Sequence, residues 1–151
     1  MDAYEIIAAF GEKLGIELKL NEDGVCMFEA DGMTMTIHNL REIDTIVIMG
    51  DLGDPPPWNL ENLYRNMLEA NYHFRDTSGA TISFNPETGR FILCRALPCK
   101  ALDGESFFAA AERFVSTLEI WGRIIRDYRG GAPKDDGEKI PGLGAEGFLR
   151  V

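Results

Sequence analysis

Histidine is almost missing from this sequence: His38 and His73 are the only two in 151 residues. Neither has a second histidine or a cysteine at metal-ligand spacing, so no metal site is expected. Cysteine is scarce as well, with Cys26, Cys94 and Cys99 the only three and no C-x-x-C pair. An odd number of thiols without pairing spacing suits a reducing compartment better than a disulfide framework. Long apolar runs are lacking, since no stretch approaches the roughly 18 residues that cross a bilayer as a helix. The first residues, MDAYEIIAAFGEK, are acidic and amphipathic without a basic leader, and the expected location is the bacterial cytoplasm. Positive charge is short too: 15 basic residues face 25 acidic ones, for a net of −10. Such a chain offers no positive surface to a phosphate backbone, so nucleic acid is not an expected partner, nor is a membrane.

Motifs for catalysis are equally thin. Neither G-x-x-x-x-G-K-[ST] nor G-x-S-x-G occurs, which leaves phosphate-cradling and nucleophile-elbow chemistry without a carrier. Gly142-Leu-Gly-Ala-Glu-Gly147 matches G-x-G-x-x-G in its letters. That motif binds a dinucleotide only between a strand and a helix, and neither pattern flanks it. The carboxylates single out no acid/base pair. The expectation is a protein that is not an enzyme and uses no cofactor.

What is present is one domain's worth of patterned chain, 45% apolar and 26% charged. Charge is uneven: residues 1–60 hold twelve acidic and three basic side chains, whereas residues 61–128 hold nine and eight. Asp2 is a candidate cap for a first helix, along which Ile6, Ile7, Phe10 and Leu14 recur at three-to-four spacing up to Gly15. Val25 to Ala30 and Met33 to His38 flank Asp31-Gly32, a dipeptide that favours a two-residue type I′ turn. Setting Ala30 opposite Met33 places Phe28 against Met35 and Cys26 against Ile37, which gathers the apolar residues on one face. A third strand is predicted from Ile43 to Met49, ending at Gly50.

Pro55-Pro-Pro57 lacks backbone donors and fixes φ, so it reads as a rigid connector. Asn59 is the candidate cap of a second helix running to about Phe74, with Leu60, Leu63, Tyr64, Met67, Leu68 and Tyr72 as its apolar stripe. Ala80–Phe84 and Phe91–Leu97 form a second hairpin around Asn85-Pro-Glu-Thr-Gly-Arg90. Asp103 caps the longest helix, predicted to run through Trp121 to Tyr128. The order α-β-β-β-α-β-β-α with short links predicts an α+β domain at 1–128. Its sheet would be five-stranded, twisted, largely antiparallel and packed with three helices. Residues 129–151 hold six glycines and two prolines and are expected to be a flexible tail, with Ile140, Leu143, Phe148 and Leu149 as its apolar residues.

Leu63-Tyr-Arg-Asn-Met-Leu-Glu-Ala-Asn71, Ala80-Thr-Ile-Ser-Phe-Asn-Pro-Glu-Thr-Gly89, Phe91-Ile-Leu-Cys-Arg-Ala-Leu-Pro98 and the Phe-rich helix with Trp121 together resemble the CesT/Tir-chaperone family. These are the class I chaperones of bacterial type III secretion, associated with virulence. The resemblance spans residues 1–128 and is most specific over 60–128. The proline run and the tail depart from it. It implies a cytosolic homodimer that binds the extended N-terminal segment of a secreted effector and keeps it soluble and export-competent.

By that resemblance the dimer interface is expected at Leu60, Tyr64, Met67, Leu68 and Tyr72, with Ile82 and Phe84. The effector segment is expected on Ile6, Phe10, Val25, Met27, Phe91 and Leu93. An extended segment gains affinity from a sheet edge and shallow apolar pockets, and that task needs no chemistry. The alternative is a regulatory protein-interaction module resembling YbjN-like domains, which share this element order and act without secretion.

Overall fold

The computed structural model describes residues 1–130; the tail from residue 131, with its glycine motif and apolar residues, lies outside the described residues. Eight main elements follow in the expected order. They are α1 (Ala3–Leu14), β1 (Val25–Ala30), β2 (Met33–Leu40), β3 (Thr45–Gly53), α2 (Leu60–Asn71), β4 (Thr81–Asn85), β5 (Arg90–Pro98) and α3 (Gly104–Asp127). The strands make one sheet in the order β1-β2-β3-β5-β4, so β1 and β4 are its edges.

The chain divides into two compact units. The first holds Met1–Gly50 and Cys94–Val115. Its helix α1 begins on a capping box: Glu5 N–H donates to Asp2 Oδ1 at 2.9 Å, and Asp2 N–H donates to Glu5 Oε2 at 2.9 Å. The β1–β2 register is the one that the alternation predicts, with Ala30 opposite Met33, Phe28 opposite Met35 and Cys26 opposite Ile37. Asp31 and Gly32 both take positive φ, 51° and 75°, as a type I′ turn requires. On the inward face Phe10 packs edge-on against Phe28 and Phe107, with ring centroids 5.1 and 5.0 Å apart. Close approach of α1 and α3 depends on Gly104, where a Cβ would lie 2.8 Å from Ala9 Cβ. Burial raises the thiols of Cys26 and Cys99, and none of the three cysteines forms a disulfide.

The second unit holds Asp51–Leu93 and the described residues 116–130. The connector at Pro55–Pro57 is neither helix nor strand. Beside it Arg90 reaches Asp51 Oδ2 from Nε at 2.7 Å and Asp54 Oδ1 from Nη1 at 2.9 Å. Trp121 is buried, and its indole N–H donates to the Asp76 carbonyl at 3.0 Å.

Most boundaries fall within two residues of expectation, and the departures with a clear local cause are at β3 and at the two ends of α2. Strand β3 starts at Thr45 because Arg41–Ile43 form a 3₁₀ turn closed by Asp44, and it continues past Gly50 to Gly53. Asn59 occupies the N-cap of α2 without a side-chain cap bond, and its carbonyl instead accepts from the Tyr128 hydroxyl at 2.6 Å. Helix α2 stops at Asn71, since His73 and Phe74 both adopt φ of 53°. His73 therefore lies outside the helix, its ring 4.4 Å from that of Tyr72. The Asp103 cap holds: Ser106 N–H donates to Asp103 Oδ1 at 2.8 Å, and Asp103 is pulled below the usual carboxylate range by those bonds.

Candidate functional site

One apolar surface lies within the second unit. Leu63, Met67 and Ala70 turn one side of α2 into the core, while Tyr64, Leu68 and Tyr72 follow each other at four-residue spacing along the other. Those three are 42%, 70% and 65% exposed, and Phe84 of β4 is 52% exposed. Tyr64, Met67, Leu68, Ile82, Phe84 and Phe91 line a cavity of about 420 Å³ together with Asn71 and Ser83. Met67, Ile82 and Phe91 are buried at its floor, and the rings of Tyr64 and Phe84 each stand 6.0 Å from that of Phe91. Tyr72 shares a second, shallower groove with Tyr64 and Leu68. Leu60 is half-buried and lines neither.

Asn71 is the residue of this surface that sequence reasoning missed. Its Nδ2 donates to the Ile82 carbonyl at 3.1 Å, and its Oδ1 accepts from the Ile82 N–H at 2.9 Å. A side-chain amide thus pairs with one residue of edge strand β4 as another strand would, and blocks the edge there. The only signal was an asparagine at the end of a helix, a residue type that also suits a cap.

A second surface lies within the first unit, on the face of β1–β3 opposite Phe10. Register aligns Val25, His38 and Val47 in one row across the three strands, and Met27, Thr36 and Met49 in the next. Met27 is 63% exposed and the other five are half-buried. Glu29 and Thr34 follow as an exposed polar row, the Thr34 hydroxyl donating to Glu29 Oε1 at 3.4 Å. Of the residues expected to touch an effector, Val25 and Met27 are here.

The other four are buried. Ile6, Phe10, Phe91 and Leu93 are each at most 2% exposed. Helical spacing and strand alternation mark which residues share a face, and these four share theirs with the core: Ile6, Phe10 and Leu93 offer an incoming segment almost no area, and Phe91 only what it shows at the floor of the α2–β4 cavity.

In the loop after α2, Asp76 is buried and its carboxyl is pushed up by desolvation, against which the Arg75 guanidinium 3.6 Å away acts in the opposite direction. Among the described residues, no cluster of three or more histidine, cysteine, aspartate or glutamate side chains could hold a metal ion, and no helix is long and apolar enough to cross a membrane. What the described residues assemble is two surfaces that carry exposed apolar side chains, Tyr64, Leu68, Tyr72 and Phe84 on one and Met27 on the other.

A profile of the Tir chaperone protein (CesT) family matches residues 5–122, and the chain belongs to that family. No curated protein sequence matches it significantly. Among solved structures, the fold is similar to a chain of the ExsC–ExsE complex, with a TM-score of 0.70 and 22% identity over 83% of this chain and 97% of that one. It is also similar to a chain of the heterodimeric ExoU–SpcU complex from the type III secretion system of Pseudomonas aeruginosa, at 0.61 and 18% over 80% and 95%. A chain of the structure of the Yersinia pestis type III secretion chaperone SycH in complex with a stable fragment of YscM2 gives 0.63 and 14% over 77% and 96%. The family match favours a chaperone over the YbjN-like regulatory alternative.

Proposed function

We propose that this protein is a cytosolic, homodimeric type III secretion chaperone that holds the extended N-terminal segment of an effector in an export-competent state. Two copies pair through the α2–β4 surface. The observation that carries this is the exposed row Tyr64, Leu68, Tyr72 with Phe84 in a chain of the Tir chaperone family. Large aromatic and aliphatic side chains aligned on one helix face favour burial against a second copy, and a twofold axis makes the patch self-complementary. The cargo lies on the outward face of β1–β3, over Val25 and Met27, extended by Thr36, His38, Val47 and Met49. Neither role calls for bond-making chemistry or a cofactor.

Analytical ultracentrifugation tests the pairing. Wild type is expected to sediment as a dimer, and Tyr64→Glu with Leu68→Glu as a folded monomer, because both side chains are exposed. An unchanged dimer from that double variant overturns the interface. Pull-down from the source cytosol tests the cargo: the N-terminal segment of a secreted protein should be retained by wild type and lost by Met27→Glu, with the dimer intact.

A further inference from the structure

Charge in the first fifty residues is one-sided. Residues 1–50 carry ten acidic and three basic side chains. All three cations are engaged: Lys13 with Glu105, Lys19 with Glu17, and Arg41 with the Tyr4 hydroxyl and the Glu22 carbonyl. Glu29 is exposed on the edge strand, in the same outward series as Val25 and Met27, and the Thr34 hydroxyl approaches it only to 3.4 Å. Asp23 and Asp31 stand just outside the two ends of β1, both exposed. An extended segment along this face presents every second side chain to it, so the residue two places from the one over Met27 meets Glu29.

We infer that Glu29 is a specificity residue of the cargo face, selecting lysine or arginine two positions from the apolar side chain that covers Met27. This rests on the cargo reading of the β1–β3 face. The selected partner is an extended segment, apolar at alternate positions and basic at the next. An acidic edge, with the three basic side chains of residues 1–50 already engaged, steers such a segment in and repels one with a carboxylate at that register. Because Glu29 is exposed, exchanging it leaves the core untouched.

Fluorescence polarisation with short peptides that alternate leucine and serine, carrying one lysine or one glutamate at successive positions, tests this against the full-length protein. The lysine peptide should bind wild type about fivefold more tightly than its glutamate twin, the scale of one rim ion pair, and at one register only. Glu29→Lys should reverse the preference, and about 0.5 M salt should shrink both differences by screening. Equal binding of the two peptides, with loss on Met27→Glu, overturns the role of Glu29 and leaves the cargo face standing. Failure of every peptide to bind, or binding indifferent to Met27→Glu, removes the cargo face and this inference with it.

Discussion

Asn71 and Asp76 show how much a single polar side chain decides in the loop between α2 and β4. Asn71 satisfies both main-chain groups of Ile82 on the sheet edge. Asn71→Leu keeps the branched shape and removes both bonds, so it is expected to cost about 1–3 kcal/mol, read as a lower urea midpoint at unchanged slope. Light scattering should rise with protein concentration, because the bare edge can then pair with another chain. Asp76 titrates above the ordinary carboxylate range because burial disfavours its charge. Between its unfolded and its raised folded value, the folded chain binds more protons than the unfolded one, so this group's contribution to stability falls as pH rises through that window. Asp76→Asn should flatten that slope in a series of thermal melts from acid to neutral pH, raising the melting temperature most at the neutral end.

At the scale of elements, α1 and β1 separate core from surface. Phe10 packs on Phe28 and Phe107, so Phe10→Ala is expected to cost about 3–5 kcal/mol in chemical denaturation. Met27 stands on the opposite face of β1 from Phe28, and Met27→Glu should change stability by no more than about 0.5 kcal/mol while abolishing cargo retention. The β1–β2 hairpin was legible in the sequence because register, apolar alternation and the Asp31-Gly32 turn all demand the same pairing. The end of α2 was not. Its apolar stripe continues to Phe74, yet the Asp76 N–H bonds back to the Ala70 carbonyl and Asn71 turns to Ile82, which close the helix early.

For the whole molecule, the net charge of −10 and the family set the terms of association. The proposed pairing rests on apolar side chains around Tyr64 and Leu68, so the dimer should survive high salt, whereas the proposed cargo capture beside Glu29 should weaken in it. A salt series by ultracentrifugation and by peptide titration separates the two. Introducing glutamate at Met67 would be a poor probe of pairing, since that side chain is 5% exposed and its loss would unsettle the core.

The sequence by itself determined the order of elements, the β1–β2 register, the caps at Asp2 and Asp103 and the family. Each of these is written in local periodicity and in side chains that act on their own neighbours along the chain. Which apolar residues remain available was decided only by the tertiary structure. Phe10 and Phe91 carry the same sequence signal as Leu68 and Phe84, but packing against other elements buries the first pair and leaves the second exposed. Periodicity names a face, and only the elements packed against that face determine whether it is core or surface.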